Sequence, residues 1–170
     1  MEASHDSPSW KDWFAANGPG LLLCARQWTR SLADAEDVVQ EAFVRYWRHQ
    51  RALPGDARAL LITSIRRASL DLARREGRRA SREEKAGGPD SMEPFFESIP
   101  CEADERRREI EVALQRLPAE QREVLVLKIW QELTFEQIGA VLGIPANTAA
   151  SRYRYGLTAL RQQLEPLCHG

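Results

Sequence analysis

Along most of this chain apolar residues recur at three- and four-residue intervals, and almost nowhere do they alternate strictly with polar ones. That is the helical period, and no run of β-branched residues between turn signals offers a strand. The pattern predicts an all-α fold. A first helix is expected from about Ser9 to Ala16, stopped by the Asn17-Gly-Pro-Gly20 break, and a second from about Leu21 to Trp28. A third starts near Asp34 and continues to about His49. Gln50 to Arg58, with its Leu53-Pro54-Gly55-Asp56 core, reads as a loop, and a fourth helix covers about Ala59 to Gly77. From Gly77 to about Cys101 the periodicity fades among Gly87, Gly88, Pro89, Pro94 and Pro100, as in a flexible linker. Phe95, Phe96 and Ile99 interrupt it, either as an anchor for a partner or domain or as weakly ordered residues. Helical pattern returns from about Glu102 through Ile110, Leu114 and Leu117, and again from Glu120 to Trp130. The organisation is two small helical domains, residues 1–76 and 105–170, joined by a linker over 77–104. At fewer than about 80 residues each, their cores are modest and gain stability from a partner.

The segment from Thr134 to Leu164 carries the most information. Thr134 is a candidate N-cap, and Phe135, Ile138, Val141 and Leu142 form one apolar stripe. Gly143 supplies a tight turn, and Pro145 can open the next helix without losing a needed donor. On that helix Ala149, Tyr153, Gly156, Leu157, Leu160 and Leu164 share one side. Asn147, Ser151, Arg154, Tyr155 and Thr158 share the other, flanked by Thr148 and Arg152. A helix-turn-helix whose second member shows a short polar and basic face can enter a DNA major groove. The plainer alternative is a helical hairpin packed inside another bundle.

Charge sharpens this picture only locally. The formal net charge is −1, with 29% charged and 43% hydrophobic residues, an ordinary globular balance. Between Arg45 and Lys85, however, there are twelve Arg or Lys against five Asp or Glu. Such a field attracts phosphate even on a neutral protein; alone, it equally describes a solvated basic linker. The positive residues concentrate on the fourth helix. There Leu61, Ile65, Ala68 and Leu72 point inward, while Arg67, Arg74, Arg75, Arg78 and Arg79 project outward. Arginine grips phosphates with its planar fork and stacks on exposed bases, which suits partly strand-separated DNA.

The third helix divides differently. Val38, Val39, Ala42, Phe43, Tyr46 and Trp47 make a wide apolar stripe, and Asp37, Gln40, Glu41, Val44 and Arg48 lie opposite. The acidic residues of its first turn favour the positive end of the helix dipole, or they form a docking surface for a basic partner. Cys24, Cys101 and Cys168 are far apart and form no Cys-x-x-Cys pair, which argues against a disulfide framework or structural zinc. His5, His49 and His169 are scattered surface histidines. No signal-peptide pattern opens the chain and no apolar run reaches the roughly 18 residues of a membrane span. The chain reads as cytoplasmic, without membrane insertion. No Gly-rich phosphate loop, His-Glu-x-x-His or nucleophile with a base is present, so no enzyme activity, metal or cofactor is expected.

Taken in order, these motifs resemble an extracytoplasmic-function (ECF) sigma factor of the sigma-70 family. Asp34 to Arg48 looks like region 2.2, Ile62 to Arg75 like regions 2.3 and 2.4, Leu114 to Leu127 like region 4.1, and Asn147 to Arg152 occupies the recognition-helix position of region 4.2. The resemblance covers about Trp10 to Leu164. It implies a dissociable promoter-specificity subunit whose partners are core RNA polymerase, through its two largest subunits, and promoter DNA. An anti-sigma factor is a further partner the resemblance allows. Asp34, Asp37, Gln40 and Glu41 match the polymerase docking position. Arg66, Arg67, Arg74, Arg75 and Arg78 fall where such proteins contact the melted −10 element, and Gln50 to Arg58 matches the loop that forms a pocket for a flipped base. Asn147, Thr148, Ser151, Arg152, Arg154 and Tyr155 fall where the −35 element is read. Departures occur at Leu60, where the family often has tryptophan, at Arg67, where it has asparagine, and at Ala149-Ala150 in place of Val-Lys. The last removes one groove-facing positive charge and shifts the burden to Arg152 and Arg154. The rival reading is a stand-alone helix-turn-helix regulator fused to a helical protein-interaction domain.

Overall fold

A computed structural model describes residues 9–82 and 103–165, with side chains of the second stretch described from 109 onward. Within them lie seven α-helices and no strand: α1 Trp10–Arg26, α2 Leu32–Arg45, α3 Ala57–Arg82, α4 Ala103–Gln115, α5 Ala119–Ile129, α6 Phe135–Leu142 and α7 Ala146–Leu164. The linker residues Phe95, Phe96, Ile99 and Cys101, and Cys168 and His169 near the end, lie outside the described residues.

The first correction concerns α1. The expected break at Asn17-Gly-Pro-Gly20 does not occur, and one helix runs from Trp10 to Arg26 with Pro19 inside it. An internal proline costs about 3 kcal/mol through its missing donor and its ring. Continuing the helix buries Leu21, Leu23, Cys24 and Ala25 almost completely, and each large apolar side chain contributes roughly 1.5–3 kcal/mol on burial. Burial therefore outweighs the local penalty. The Asn17 side-chain amide also donates to the Trp13 carbonyl at 2.9 Å.

The next two helices depart from expectation at their ends. The Ser31 hydroxyl accepts from the Asp34 N–H at 3.1 Å, so α2 starts two residues before Asp34. After Arg45 it widens into a single π-helical turn, Tyr46–Gln50, where a regular α-helix to His49 was expected; such turns often sit beside functional loops. Asp56 caps α3 through its carboxylate, which accepts the Arg58 N–H at 2.9 Å. This helix runs 26 residues, past Gly77 to Arg82, into sequence assigned to the linker. Nothing in a Gly-containing but arginine-rich stretch stops a helix whose exposed side chains are good helix formers.

The C-terminal helices follow the sequence reading closely. Pro118 precedes α5. Thr134 caps α6 in a reciprocal box: its hydroxyl accepts the Gln137 N–H at 3.1 Å, and Gln137 Oε1 accepts the Thr134 N–H at 2.9 Å. Gly143 ends the helix at φ 71°, a left-handed conformation that glycine adopts without penalty. Pro145 sits at the N-cap of α7, one position before its first turn.

The larger cluster of buried residues draws on both halves of the chain. Leu21, Cys24, Val38, Phe43, Leu61 and Ile65 from the N-terminal half join Val124, Leu127, Leu133, Ile138 and Leu142 from the C-terminal half in one cluster. A smaller cluster, Leu114, Leu117 and Leu125 with Leu160, joins α4, α5 and α7. Polar contacts line the seam. Trp28 Nε1–H donates to Glu123 Oε2 at 2.9 Å, and Arg122 Nε–H donates to Gln27 Oε1 at 2.9 Å. Arg58 donates to the Gln131 carbonyl at 3.1 Å and to Asn17 Oδ1 at 3.0 Å.

Candidate nucleic-acid interface

The helix pair is held to its crossing geometry by small residues. A Cβ on Gly139 would lie 2.6 Å from the Ile144 carbonyl oxygen, and one on Gly156 would lie 3.0 Å from Leu125 Cδ1. The turn therefore packs directly on α6, and α7 packs directly on α5. Ala149 is buried in the same seam, and Tyr153 stacks near Phe135 with ring centroids 5.6 Å apart. Gly139 is a positioning residue that sequence reasoning missed; a glycine four residues before a turn glycine is the only signal it gives.

This packing turns the other face of α7 outward. Asn147, Arg154 and Tyr155 are exposed, Tyr155 at 63%, and Thr148, Ser151 and Arg152 are half-buried. The Arg154 guanidinium lies 5.9 Å from the Tyr155 ring centroid, a weak cation–π contact that leaves its donors available. Arg152 is committed: its Nη2 pairs with Glu120 Oε2 of α5 at 3.4 Å. Leu157, expected inside, is 39% exposed and lies with Asn147, Ser151, Arg154, Thr158 and Arg161 along one shallow groove.

On α3, Arg67, Arg74, Arg75 and Arg78 are exposed, whereas Arg66 is half-buried. Arg74 pairs with Asp71 at 3.3 Å in a mostly exposed i,i+3 contact, which holds it weakly. Arg75, Arg78, Arg79 and Arg82 line one concavity, so the helical extension beyond Gly77 adds Arg79 and Arg82 to the basic row. Between α2 and α3, residues 51–56 form an exposed loop; Arg51 covers the Trp47 ring at 5.0 Å, and Gly55 adopts φ 126°.

Asp37, Gln40 and Glu41 are exposed on α2, and Asp34 is half-buried in its first turn. Glu41 also pairs with Arg45 at 3.2 Å. The acidic edge borders an apolar groove that sequence reasoning did not find. Trp10, Phe14, Leu22, Val39, Phe43, Val44 and Trp47 line it, with Glu36, Gln40 and Arg48 among its polar residues. Trp10 is 45% and Val44 41% exposed. Phe43 is the hub, with Trp10, Trp13, Phe14 and Trp47 rings 5.0 to 6.2 Å away. The aromatic spacing Trp10, Trp13, Phe14 was the available signal.

Burial pushes the Cys24 thiol up, and a hydrogen bond with Gln131 acts weakly against this. Burial likewise draws the Arg122 guanidinium down, with neighbouring Glu123 opposing it. Among the described residues no three His, Cys, Asp or Glu side chains form a metal-holding group, and no helix is long and apolar enough to cross a membrane.

Comparison with known proteins agrees with this geometry. The family model described as Sigma-70 region 2 matches residues 13–79, and that described as Sigma-70, region 4 matches residues 113–162. The chain is 36% identical over 153 residues to the ECF RNA polymerase sigma factor SigL of Mycobacterium tuberculosis, covering 86% of this chain and 84% of that protein. It is 28% identical over 167 residues to the ECF RNA polymerase sigma factor SigE of Mycolicibacterium smegmatis, covering 92% of this chain but only 62% of that protein's length. In fold it is similar to the sigma factor RpoE of Bartonella quintana, solved in complex with the anti-sigma factor NepR. The TM-score there is 0.68 at 22% identity, over 92% of this chain and 96% of that one. With both sigma-70 regions present in order and a relative this similar along most of its length, the chain belongs to the sigma-70 family, among its ECF sigma factors.

Proposed function

We propose that this chain directs core RNA polymerase to specific promoters and starts transcription there, as an ECF sigma factor. The observation that carries the proposal is the sequential match of one chain to both sigma regions, with an acidic edge, an arginine row and an outward-facing reading helix on those regions. Asp37, Gln40 and Glu41, with Asp34 at the helix start, serve as the polymerase-docking edge. Opposite charge across such an interface governs association. Arg67, Arg74, Arg75 and Arg78 hold the backbone of the melted −10 strand, with half-buried Arg66 behind them. Asn147, Ser151, Arg154 and Tyr155, with Thr148 and Arg152 at the margin, meet the −35 element. Arg154 is free to grip a phosphate, and Arg152 is braced by Glu120. The chain supplies recognition and melting; the polymerase supplies catalysis. By analogy with the RpoE complex, an anti-sigma factor is a further partner.

The stand-alone regulator is the weaker reading, because it gives the region 2 half no task on DNA. The two are separated by mixing purified chain with core polymerase and genomic fragments in a run-off assay. Promoter-dependent transcripts that require both components are expected. Duplex binding by the chain alone, with no transcript initiated in the mixture, would overturn the proposal.

A further inference from the structure

One charged pair of the reading helix crosses between elements. Arg152 Nη2 of α7 lies 3.4 Å from Glu120 Oε2 of α5. Packing fixes the pairing. Gly156, one turn after Arg152, is buried, and a Cβ there would lie 3.0 Å from Leu125 Cδ1 and 3.2 Å from Gln121 Cβ. The missing side chain lets α5 and α7 approach closely, which brings Glu120, next to Gln121, within reach of Arg152. Glu120 also suits its own position. It stands in the first turn of α5, where the Pro118 cap supplies no side-chain acceptor and the positive end of the helix dipole favours a carboxylate.

The pair sits at the margin of the reading face. Thr148 and Tyr155, four residues before and three after Arg152, are its neighbours on α7. The Arg152 side chain is 26% exposed and that of Glu120 70%, so the carboxylate stands in solvent beside the surface that meets DNA. Arg154 differs: the Tyr155 ring lies beside it rather than a carboxylate.

Such a pair weighs two kinds of DNA contact unequally. A phosphate taken by Arg152 replaces one anionic partner with another and brings a second negative charge beside Glu120. A base edge offers neutral acceptors that match the guanidinium fork, without that repulsion. An exposed ion pair is weak enough not to stand in the way of such a match. Discrimination is a difference of affinities, and penalising the wrong contact raises it as surely as favouring the right one.

We infer that Glu120 is a specificity-determining residue of the −35 interface, which occupies Arg152 so that this arginine answers to a base edge and not to a lone phosphate. The inference rests on the functional reading above. Glu120 acts through Arg152 and is a positioning residue; it lies on α5, outside the reading helix.

The test uses holoenzyme on a promoter recovered in the run-off assay and on its copy with a scrambled −35 element. Glu120→Gln keeps the length of the side chain and removes its charge. It is made alone and together with Arg152→Ala, and circular dichroism checks that each variant is folded. Binding is measured at several salt concentrations. Glu120→Gln should tighten binding to the scrambled promoter more than to the intact one, so that preference falls about threefold or more. Its salt slope should steepen by about 1, as Arg152 gains a phosphate. Both effects should vanish when Arg152 is already Ala, because any direct repulsion of DNA by Glu120 acts on both promoters alike. Unchanged preference in Glu120→Gln, or an equal loss of preference in the Arg152→Ala background, would overturn the assignment. A parent holoenzyme with no preference for the intact element would instead overturn the functional reading, and the role of Glu120 with it.

Discussion

The same substitution should have opposite signs at two glycines. Gly77 lies exposed in α3 with nothing within 4 Å of an added Cβ. Gly77→Ala there gains roughly 0.5–1 kcal/mol, because glycine loses more backbone freedom in a helix than alanine. Gly139 is also helical and would gain as much from propensity alone. Its Cβ, however, would stand 2.6 Å from the Ile144 carbonyl oxygen and 3.4 Å from the Ala146 nitrogen. Both are backbone atoms, and the turn is tied by the Ile144 N–H to Gly139 carbonyl bond at 3.0 Å. The turn cannot swing aside as a side chain would. Overpacking of this kind costs typically 1–3 kcal/mol, and relief requires moving α7 away from α6. The net expectation for Gly139→Ala is a loss of about 1–2 kcal/mol, after the propensity gain is deducted. With a urea m-value of about 2 kcal/mol/M, the midpoint falls by roughly 0.5–1 M. Urea unfolding followed by tryptophan fluorescence measures it, with Gly77→Ala as the internal control. Because the reading helix shifts, transcription from promoters with an intact −35 element should fall more than transcription from those without one. A Gly139→Ala protein as stable as Gly77→Ala, with full −35 preference, would refute the packing argument.

Other outcomes follow from the surfaces. Asp37→Arg with Glu41→Arg should weaken binding to core polymerase at unchanged helicity, since exposed charge changes cost little stability; unaltered affinity in a direct binding assay rules that edge out. Replacing Arg67, Arg74 and Arg75 by Ala should reduce open-complex formation more than core binding, and the deficit should shrink at high salt as phosphate contacts lose their counterion advantage. Normal permanganate reactivity at the −10 element in that triple variant contradicts the assignment. Arg154→Ala in holoenzyme should weaken intact and scrambled −35 promoters alike and lower the salt slope by about 1. Arg152→Ala, if Arg152 leaves Glu120 to meet a base, should cost roughly 1–3 kcal/mol of discrimination. Full affinity and preference in both would remove α7 as the reader.

The C-terminal half was legible because its signals are local. A Thr134–Gln137 capping box, a Gly143 in the left-handed region and an apolar stripe at helical spacing are each settled within a few residues. The polar face of α7 and the arginine row of α3 could be placed by periodicity for the same reason: an amphipathic helix must turn its charged side to water. Arg152 was harder, since its partner Glu120 lies 32 positions away on another helix.

What local rules could not reach was decided by packing. Asn17-Gly-Pro-Gly20 breaks a helix in isolation, yet α1 runs through it because Leu21 to Ala25 are buried only if it does. The apolar groove beside Asp37 and Glu41 exists only where α1 lies across α2, and no one-dimensional pattern marks a surface shared by two helices. The seam is the largest example. Sequence alone determined that the chain is helical, that it has two sigma-like halves and which faces are polar. Whether those halves share a core depended on shape. Gly20 against Gln131, and Asp56 between two helix ends, are contacts between residues at least 81 positions apart, and a pairing at that distance is fixed by complementarity in three dimensions rather than by the period of either segment.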